Sequence, residues 1–329
     1  MNKYFFEHWN VLNAQTHDSL ELDITLCSEF MPFMRDHFFA GKCLIPGAVL
    51  ADMMLEGCSM LDPEEDIFPL NLKNLDIRRA VHVFEKERYT IRVNVRKIEN
   101  NDSGRHYACE IRGALRNSKG EVKRKNVVIC SAEFALGLDS KQGKEIVPPK
   151  EQHRYDMTKA KLYEYFINTH GPLFQTLNGK LLLSPAKDQV ESQFQIGDRE
   201  QSFSEIKNLP FILSPLGFDS ILQTAVTFSM LNVPGQQDYF YTKLPVQVRN
   251  FRMDKPFEGD ASYRCRAKVV EHNDDTMTLE ANLHLNNGDF VGSIGELILK
   301  KAPFERYSRS GTESIIEKYR EKSGPAAAA

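Results

Sequence analysis

Two hydrophobic periods divide this chain. From Tyr89 to Arg96, the apolar Tyr89, Ile91, Val93 and Val95 alternate with Thr90, Arg92, Asn94 and Arg96, the two-residue period of a strand with one wet face. Tyr107, Cys109, Ile111 and Leu115 continue that rhythm beyond a turn at 100–104, and Val128, Cys130, Ala132 and Phe134 supply a third strand beyond Asn117-Ser118-Lys119-Gly120. The stretch from Ala48 to Leu61 behaves differently. Only Asp52 and Glu56 are charged there, four apart on one helical face. A helix apolar on nearly every side must be buried on nearly every side. Pro46 suits its first turn, where a missing N–H costs nothing, and Gly47 lets another group approach the unpaired amides of the helix start.

The same sequence of periods recurs further on. Ser214 reads as the cap and Pro215 as the first residue of a helix running to Leu231, with Asp219 its only charge. Then Tyr263, Cys265, Ala267 and Val269 alternate with Arg264, Arg266 and Lys268, and Met277, Leu279, Ala281 and Leu283 with Thr278, Glu280, Asn282 and His284. Weaker strand patterns lie at 70–83, 181–183 and 190–194, Met157 to Asn168 has helical spacing, and a strand or turn leads up to His37. Each half therefore predicts one buried helix and an antiparallel meander curved around it, an α+β chain with internal duplication. The divisions expected are a first unit over 1–137, an aperiodic linker over 138–156 holding Pro148-Pro149, a second unit over 157–305, and a polar tail over 306–329. The closing Ser-Gly-Pro-Ala-Ala-Ala-Ala reads as a linker or an appended segment, as if the chain were a piece of something longer.

Composition narrows the function classes. The chain has 329 residues and 41% hydrophobic content, enough for two ordinary domains with a sizeable core. With 42 Lys and Arg against 45 Asp and Glu, the net charge of −3 gives no global reason to expect nucleic acid or a membrane surface as partner. The six cysteines are scattered, with no Cys-x-x-Cys pair, which speaks against a zinc ribbon, a redox motif or a disulfide framework and fits a reducing cytoplasm. No stretch approaches signal-peptide or membrane-span length. Nine histidines form no His-x-x-x-His or Cys-His cluster, and neither a Walker loop nor a dinucleotide fingerprint is present, so no metal or redox cofactor is expected.

Two constellations carry candidate chemistry. His37 stands ahead of Pro46-Gly47; a lone histidine in such company is as a rule a hydrogen-bonded core residue, but one aimed at a helix start can pair a base with an oxyanion site. Asp219 and Gln223 lie four apart on one helix face and can reach the same ligand. Asp219 is beyond the first helical turn and has apolar neighbours in Leu216, Phe218, Ile221 and Leu222, which argues against capping and exposure and leaves a structural carboxylate or a chemical one. With no cation at helical spacing, desolvation should raise its pKa and keep it protonated, as a general acid requires.

The pattern His37-x-x-x-Gly41-x-x-x-x-Pro46-Gly47 resembles the N-terminal signature of polyketide synthase dehydratase domains, and Asp219-Ser220-Ile221-Leu222-Gln223 is similar to their Asp-x-x-x-Gln motif. Of their Gly-Tyr-x-Tyr-Gly-Pro-x-Phe segment this chain keeps Gly171, Pro172 and Phe174, but Ile167 stands at the first Gly, Asn168 at the first Tyr and His170 at the second. Leu244-Pro245 resembles a Leu-Pro segment further downstream, so the matches run in family order over nearly the whole chain. The resemblance implies a double hotdog fold: two antiparallel sheets, each wrapped around a buried central helix. It further implies loss of water from a 3-hydroxyacyl thioester on the phosphopantetheine arm of an acyl carrier protein, giving a 2-enoyl thioester. His37 would be base and Asp219 acid, Gln223 would orient either Asp219 or the departing hydroxyl, and Gly41, Pro46, Gly47, His170, Gly171, Pro172 and Phe174 would bind substrate. Carrier protein, the other domains of a multienzyme synthase and a second copy of the chain are the expected partners. Other readings on the same frame are a product-template cyclase, a double-bond isomerase, and a scaffolding domain without turnover. A hotdog thioesterase ranks last, because Pro46, Gly47 and Ala48 stand where an acidic residue would activate water.

Overall fold

In the computed structural model, residues 4–308 are described apart from 40–41, 84–86, 99–103, 118–119, 138–144, 150–151, 168, 205–208 and 233–238. The first half contains strands β1 (Asn10–Gln15), β2 (Ser19–Leu26), β3 (Phe38–Phe39) and β4 (Lys42–Leu44), helix α1 (Gly47–Leu61), then β5 (Leu70–Ile77), β6 (His82–Val83), β7 (Tyr89–Ile98), β8 (Arg105–Arg116) and β9 (Val122–Leu136). The second half contains β10 (His153–Asp156), α2 (Lys159–Tyr165), β11 (Leu177–Leu183), β12 (Gln189–Gln195), α3 (Pro215–Leu231), β13 (Tyr239–Met253), β14 (Ser262–His272), β15 (Thr276–Leu285) and β16 (Phe290–Ser308). One antiparallel sheet runs β1-β2-β7-β8-β9-β5-β13-β16-β15-β14-β12-β11-β10, and β3-β4-β6 forms a small separate sheet. The expected half-sheets are both present, and they continue into one another through β5 and β13, paired from Leu70 opposite Met253 to Asp76 opposite Gln247.

Each half-sheet curls around its apolar helix. α1 packs on β2, β7, β8 and β9, α3 on β11 to β15, and the two helices touch. Every α1 residue except Gly47 and Met60 is buried, as is every α3 residue except Val226. Ser214 caps α3 as the sequence predicts, its hydroxyl accepting from Gly217 N at 2.9 Å, while Pro46 is the cap of α1 rather than its first helical residue. His153–Asp156, expected in the linker, pairs with β11 and forms the outer strand of the second half, because four residues beside an open edge gain a hydrogen-bonding partner without any apolar alternation. The last strand runs to Ser308 and so enters the expected tail; residues 309–329 lie outside the described residues.

Two sets of contacts fix the halves relative to each other. Asp52 Oδ1 on α1 accepts Leu213 N at 2.7 Å, just ahead of α3, while one turn later and within the first half Glu56 Oε2 accepts Phe6 N at 2.6 Å. Glu200 completes the α3 entry, its Oε1 accepting the Ser214 hydroxyl at 2.6 Å and Leu216 N at 2.9 Å. The second set is a backbone clamp. Residues 36–38 lie against 169–173, with Phe38 N donating to Thr169 O at 2.9 Å, Gly171 N to Asp36 O at 2.7 Å, and Leu173 N to Asp36 Oδ2 at 2.8 Å. His37 and His170 form the antiparallel bridge between them.

Two expectations follow from these contacts. Burial pushes Asp52 up to about 7, against the hydrogen bonds with Glu56 and Leu213 N–H, and the nearby charge of Glu200 adds to the rise. The folded chain therefore holds a proton that the unfolded chain has released, and stability falls as pH rises from about 4 to about 7, by a few kcal/mol in all. Melting midpoints should decline over that window in the parent and lose part of the decline in Asp52→Asn, which keeps the acceptor for Leu213; an unchanged slope would contradict this. The other expectation concerns Gly171, where an added Cβ would lie 2.6 Å from Asp36 Oδ1 and 3.0 Å from Asp36 Cα. Gly171→Ala should cost about 1–3 kcal/mol in a denaturant titration through this overpacking, and parental stability would show that the clamp yields freely.

Candidate active site

His37 leaves a short 3-10 turn, Pro32–Asp36, in extended conformation, and the clamp then holds its backbone against the second half. Its Nδ1 lies 3.1 Å from Leu44 O in β4. A carbonyl can only accept, so Nδ1 carries the hydrogen and Nε2 keeps its lone pair. Burial pushes the His37 pKa down to about 4, the charge of His170 lowers it further, and Asp219 and the Leu44 hydrogen bond oppose the fall. The imidazole is neutral at neutral pH and can accept a proton at Nε2.

Asp219 comes from the second turn of α3. Its Oδ2 accepts Gln223 Nε2 at 2.7 Å and lies 3.2 Å from His170 Nε2. Gln223 has no hydrogen left for a ligand: Nε2 also donates to Phe174 O at 2.8 Å, while Oε1 accepts the Tyr163 hydroxyl at 2.6 Å. Of the two roles open to Gln223, this geometry fits orientation of Asp219. Tyr163 on α2 in turn receives Leu177 N at 2.9 Å; the sequence offers no signal for it beyond its place in a helical stretch.

The expectation that Asp219 holds its own proton is overturned. Burial does push its pKa up, but the hydrogen bond and charge of His170, then His37 and Gln223, outweigh that and leave it below the ordinary carboxylate value. His170 is no helical neighbour of Asp219 and reaches it from the opposite segment. No sequence spacing marks the cluster that the fold assembles here. One ring nitrogen each of His37 and His170 and an Asp219 oxygen lie within 4.8 Å of one another, although the three residues are far apart in sequence.

These groups stand at a cavity of about 300 Å³ lined by the start of α1 (Gly47, Leu50), by Asp219, Leu222, Gln223 and Val226 of α3, by Ile77 to Ala80 after β5, and by Thr242 and Leu244 to Val246 of β13. Its lining is mostly apolar, with Arg78 and Arg79 the cations among the described lining residues. Of the expected substrate contacts, Gly47 and His170 line it, while four others do not and Gly41 lies outside the described residues. Pro46 is buried as the α1 cap, Gly171 lies against Asp36, and Pro172 is exposed. Phe174 is buried behind the site, its ring centroid 5.4 Å from that of His37. Of these four, Gly171 and Phe174 pack against the segment that carries His37. Asp36, Thr169 and the Arg78-Arg79 pair belong to the site region and were passed over in the sequence.

Residues 10–112 match the family model described as the polyketide synthase dehydratase domain. No curated protein matches the sequence. Among solved structures, the dehydratase domain of PpsC from Mycobacterium tuberculosis superposes with a TM-score of 0.64 at 17% identity, covering 89% of this chain and 97% of that one. The dehydratase domain from the CurF module of curacin polyketide synthase gives the same values, and that from the CurJ module gives 0.64 at 15% identity, covering 89% and 94%. The family model matches part of the first half, and the architecture of both halves is the double hotdog fold of these dehydratase domains.

Proposed function

We propose that the chain removes water from a 3-hydroxyacyl thioester delivered on an acyl carrier protein, with His37 as base and Asp219, coupled to His170, as acid. The observation that carries this reading is that a neutral imidazole with a free Nε2 and a carboxyl group from the other half converge on one mostly apolar cavity. In the reaction His37 Nε2 takes a proton from the carbon beside the thioester carbonyl. The carbon–oxygen bond at the next position breaks, and the hydroxyl leaves as water with the proton carried in the His170–Asp219 hydrogen bond. The carbon–carbon double bond forms, and the two sites exchange their proton with solvent to reset. Gly47 at the start of α1 offers its backbone to the developing enolate.

The relatives support the substrate class. The PpsC dehydratase domain has been solved in complex with C12:1-CoA, and a histidine-to-phenylalanine variant of the CurJ dehydratase is described as an inactive mutant. Arg78 and Arg79 at the cavity wall are placed to meet the arm's phosphate or an acidic carrier surface. Arg79 is braced on Val128 O and Arg78 on Asp76.

Intact-mass analysis of a carrier-bound 3-hydroxyacyl chain should show loss of one water, whereas an isomerase would act on the 2-enoyl chain instead. His37→Ala should lower the rate by about two to four powers of ten with the fold retained; full activity would remove His37 from the mechanism. Tyr163→Phe leaves Gln223 Oε1 without its donor and should lower kcat by about tenfold with little change in KM. A change confined to KM would instead make Gln223 a substrate-binding group. For docking, Arg79→Ala should raise KM several-fold for the carrier-bound substrate and not for a small thioester, and added salt should do the same; equal effects on both substrates would remove electrostatic docking.

A further inference from the structure

We propose that His37, His170 and Asp219 form a three-ligand site for a divalent transition metal of the zinc class, and that the bound ion shuts off the site by occupying the base. The inhibitory half rests on the dehydratase reading; the binding half does not.

The chemistry of the donor set is the first support. Two imidazoles and one carboxylate are the ligands of open, three-protein-ligand zinc sites, in which a fourth position faces solvent or substrate. Here the three donors lie within 4.8 Å of one another and all three residues line the cavity, which leaves that position to a water or a small ligand. The spacing is already close to what the ion needs. His170 Nε2 and Asp219 Oδ2 are 3.2 Å apart, and two donors at about 2.0–2.1 Å from a tetrahedral ion are about 3.3 Å apart. His37 would have to move closer for its nitrogen to complete the set.

The second support is how the ligands are held. Metal-bound histidines as a rule give their other ring N–H to a fixed acceptor, which sets the tautomer and aims the ring. Both histidines are held in this way. His37 Nδ1 is 3.1 Å from Leu44 O, and His170 Nδ1 is 2.9 Å from Thr169 Oγ1. Asp219 is steadied by Gln223, itself fixed by Tyr163 and Phe174 O. His170 occupies a position where the family segment has a tyrosine, so this second imidazole is a departure of this chain. Binding replaces the proton in the His170–Asp219 hydrogen bond with the ion, and that proton goes to solvent. The ion also takes the Nε2 lone pair of His37, the one the base step requires.

The test uses the whole chain, first treated with chelator. Titration calorimetry with zinc chloride should show one site, cobalt should give the intense visible bands of a tetrahedral ion, and zinc should raise the melting midpoint. His37→Ala, His170→Phe and Asp219→Asn should each weaken binding tenfold or more, with His170→Gln as a second variant should the phenylalanine fail to fold. In the parent, zinc should stop turnover of the carrier-bound substrate and chelator should restore it. Absence of binding, or binding untouched by all three substitutions, would overturn the site. Binding that leaves turnover intact would overturn the blocking role. Because the titration needs no substrate, a protein that binds zinc but dehydrates nothing even when metal-free would keep the site and reject the dehydratase reading.

Discussion

The backbone clamp between 36–38 and 169–173 is the contact on which the site depends. His37 belongs to the first half and Asp219 to the second, and neither half alone brings both groups to the cavity. Three hydrogen bonds of 2.7–2.9 Å fix the two segments, and Gly171 allows them to come so close because it has no Cβ to strike Asp36. The His37–His170 bridge is the middle rung of this short ladder, and so the two imidazoles have ring centroids 4.8 Å apart. Proximity of this sort is worth most when it is paid for in folding rather than at the moment of reaction.

Behind the clamp the two buried helices set the angle of approach. Apolar packing of α1 and α3 supplies most of the favourable free energy but has no direction. Direction comes from the few polar groups buried among it. Asp52 and Glu56 each hold a backbone N–H that would otherwise be stranded, one at the entry to α3 and one in the N-terminal segment. Their cost is the desolvation that raises Asp52. Register between the halves is thereby tied to carboxyl groups that hydrophobic residues of the same size could not replace, since Leu213 N would lose its acceptor.

The parts of this arrangement legible in the sequence are those in which one residue's neighbours along the chain decide its surroundings. α1 and α3 were readable because they carry almost no charged side chains, and β7, β8, β14 and β15 because one face of each is wet. β13 was not, since bulges at Tyr241/Lys243 and Pro245/Gln247 break its alternation and admit a proline. β10 is four residues at a sheet edge, too short to show a period. At the site, His37, Asp219 and Gln223 could be named from motifs, but the charge state of Asp219 could not. That depends on His170, 49 residues away, and distance along the chain conceals a 3.2 Å contact.

His170 ties the remaining properties of the site together. A tyrosine at its position would offer one hydroxyl, a donor to Asp219 that keeps its hydrogen at neutral pH. An imidazole offers a second basic nitrogen, and its Nδ1 is already engaged by Thr169. The carboxyl group is therefore paired rather than isolated, and that pairing outweighs the rise that burial causes. Fixed rings, a mostly apolar wall and converging donor atoms are features that proton transfer and an imidazole-binding divalent ion would both use. The chain's departure at His170 is what brings a second imidazole to this group of donors.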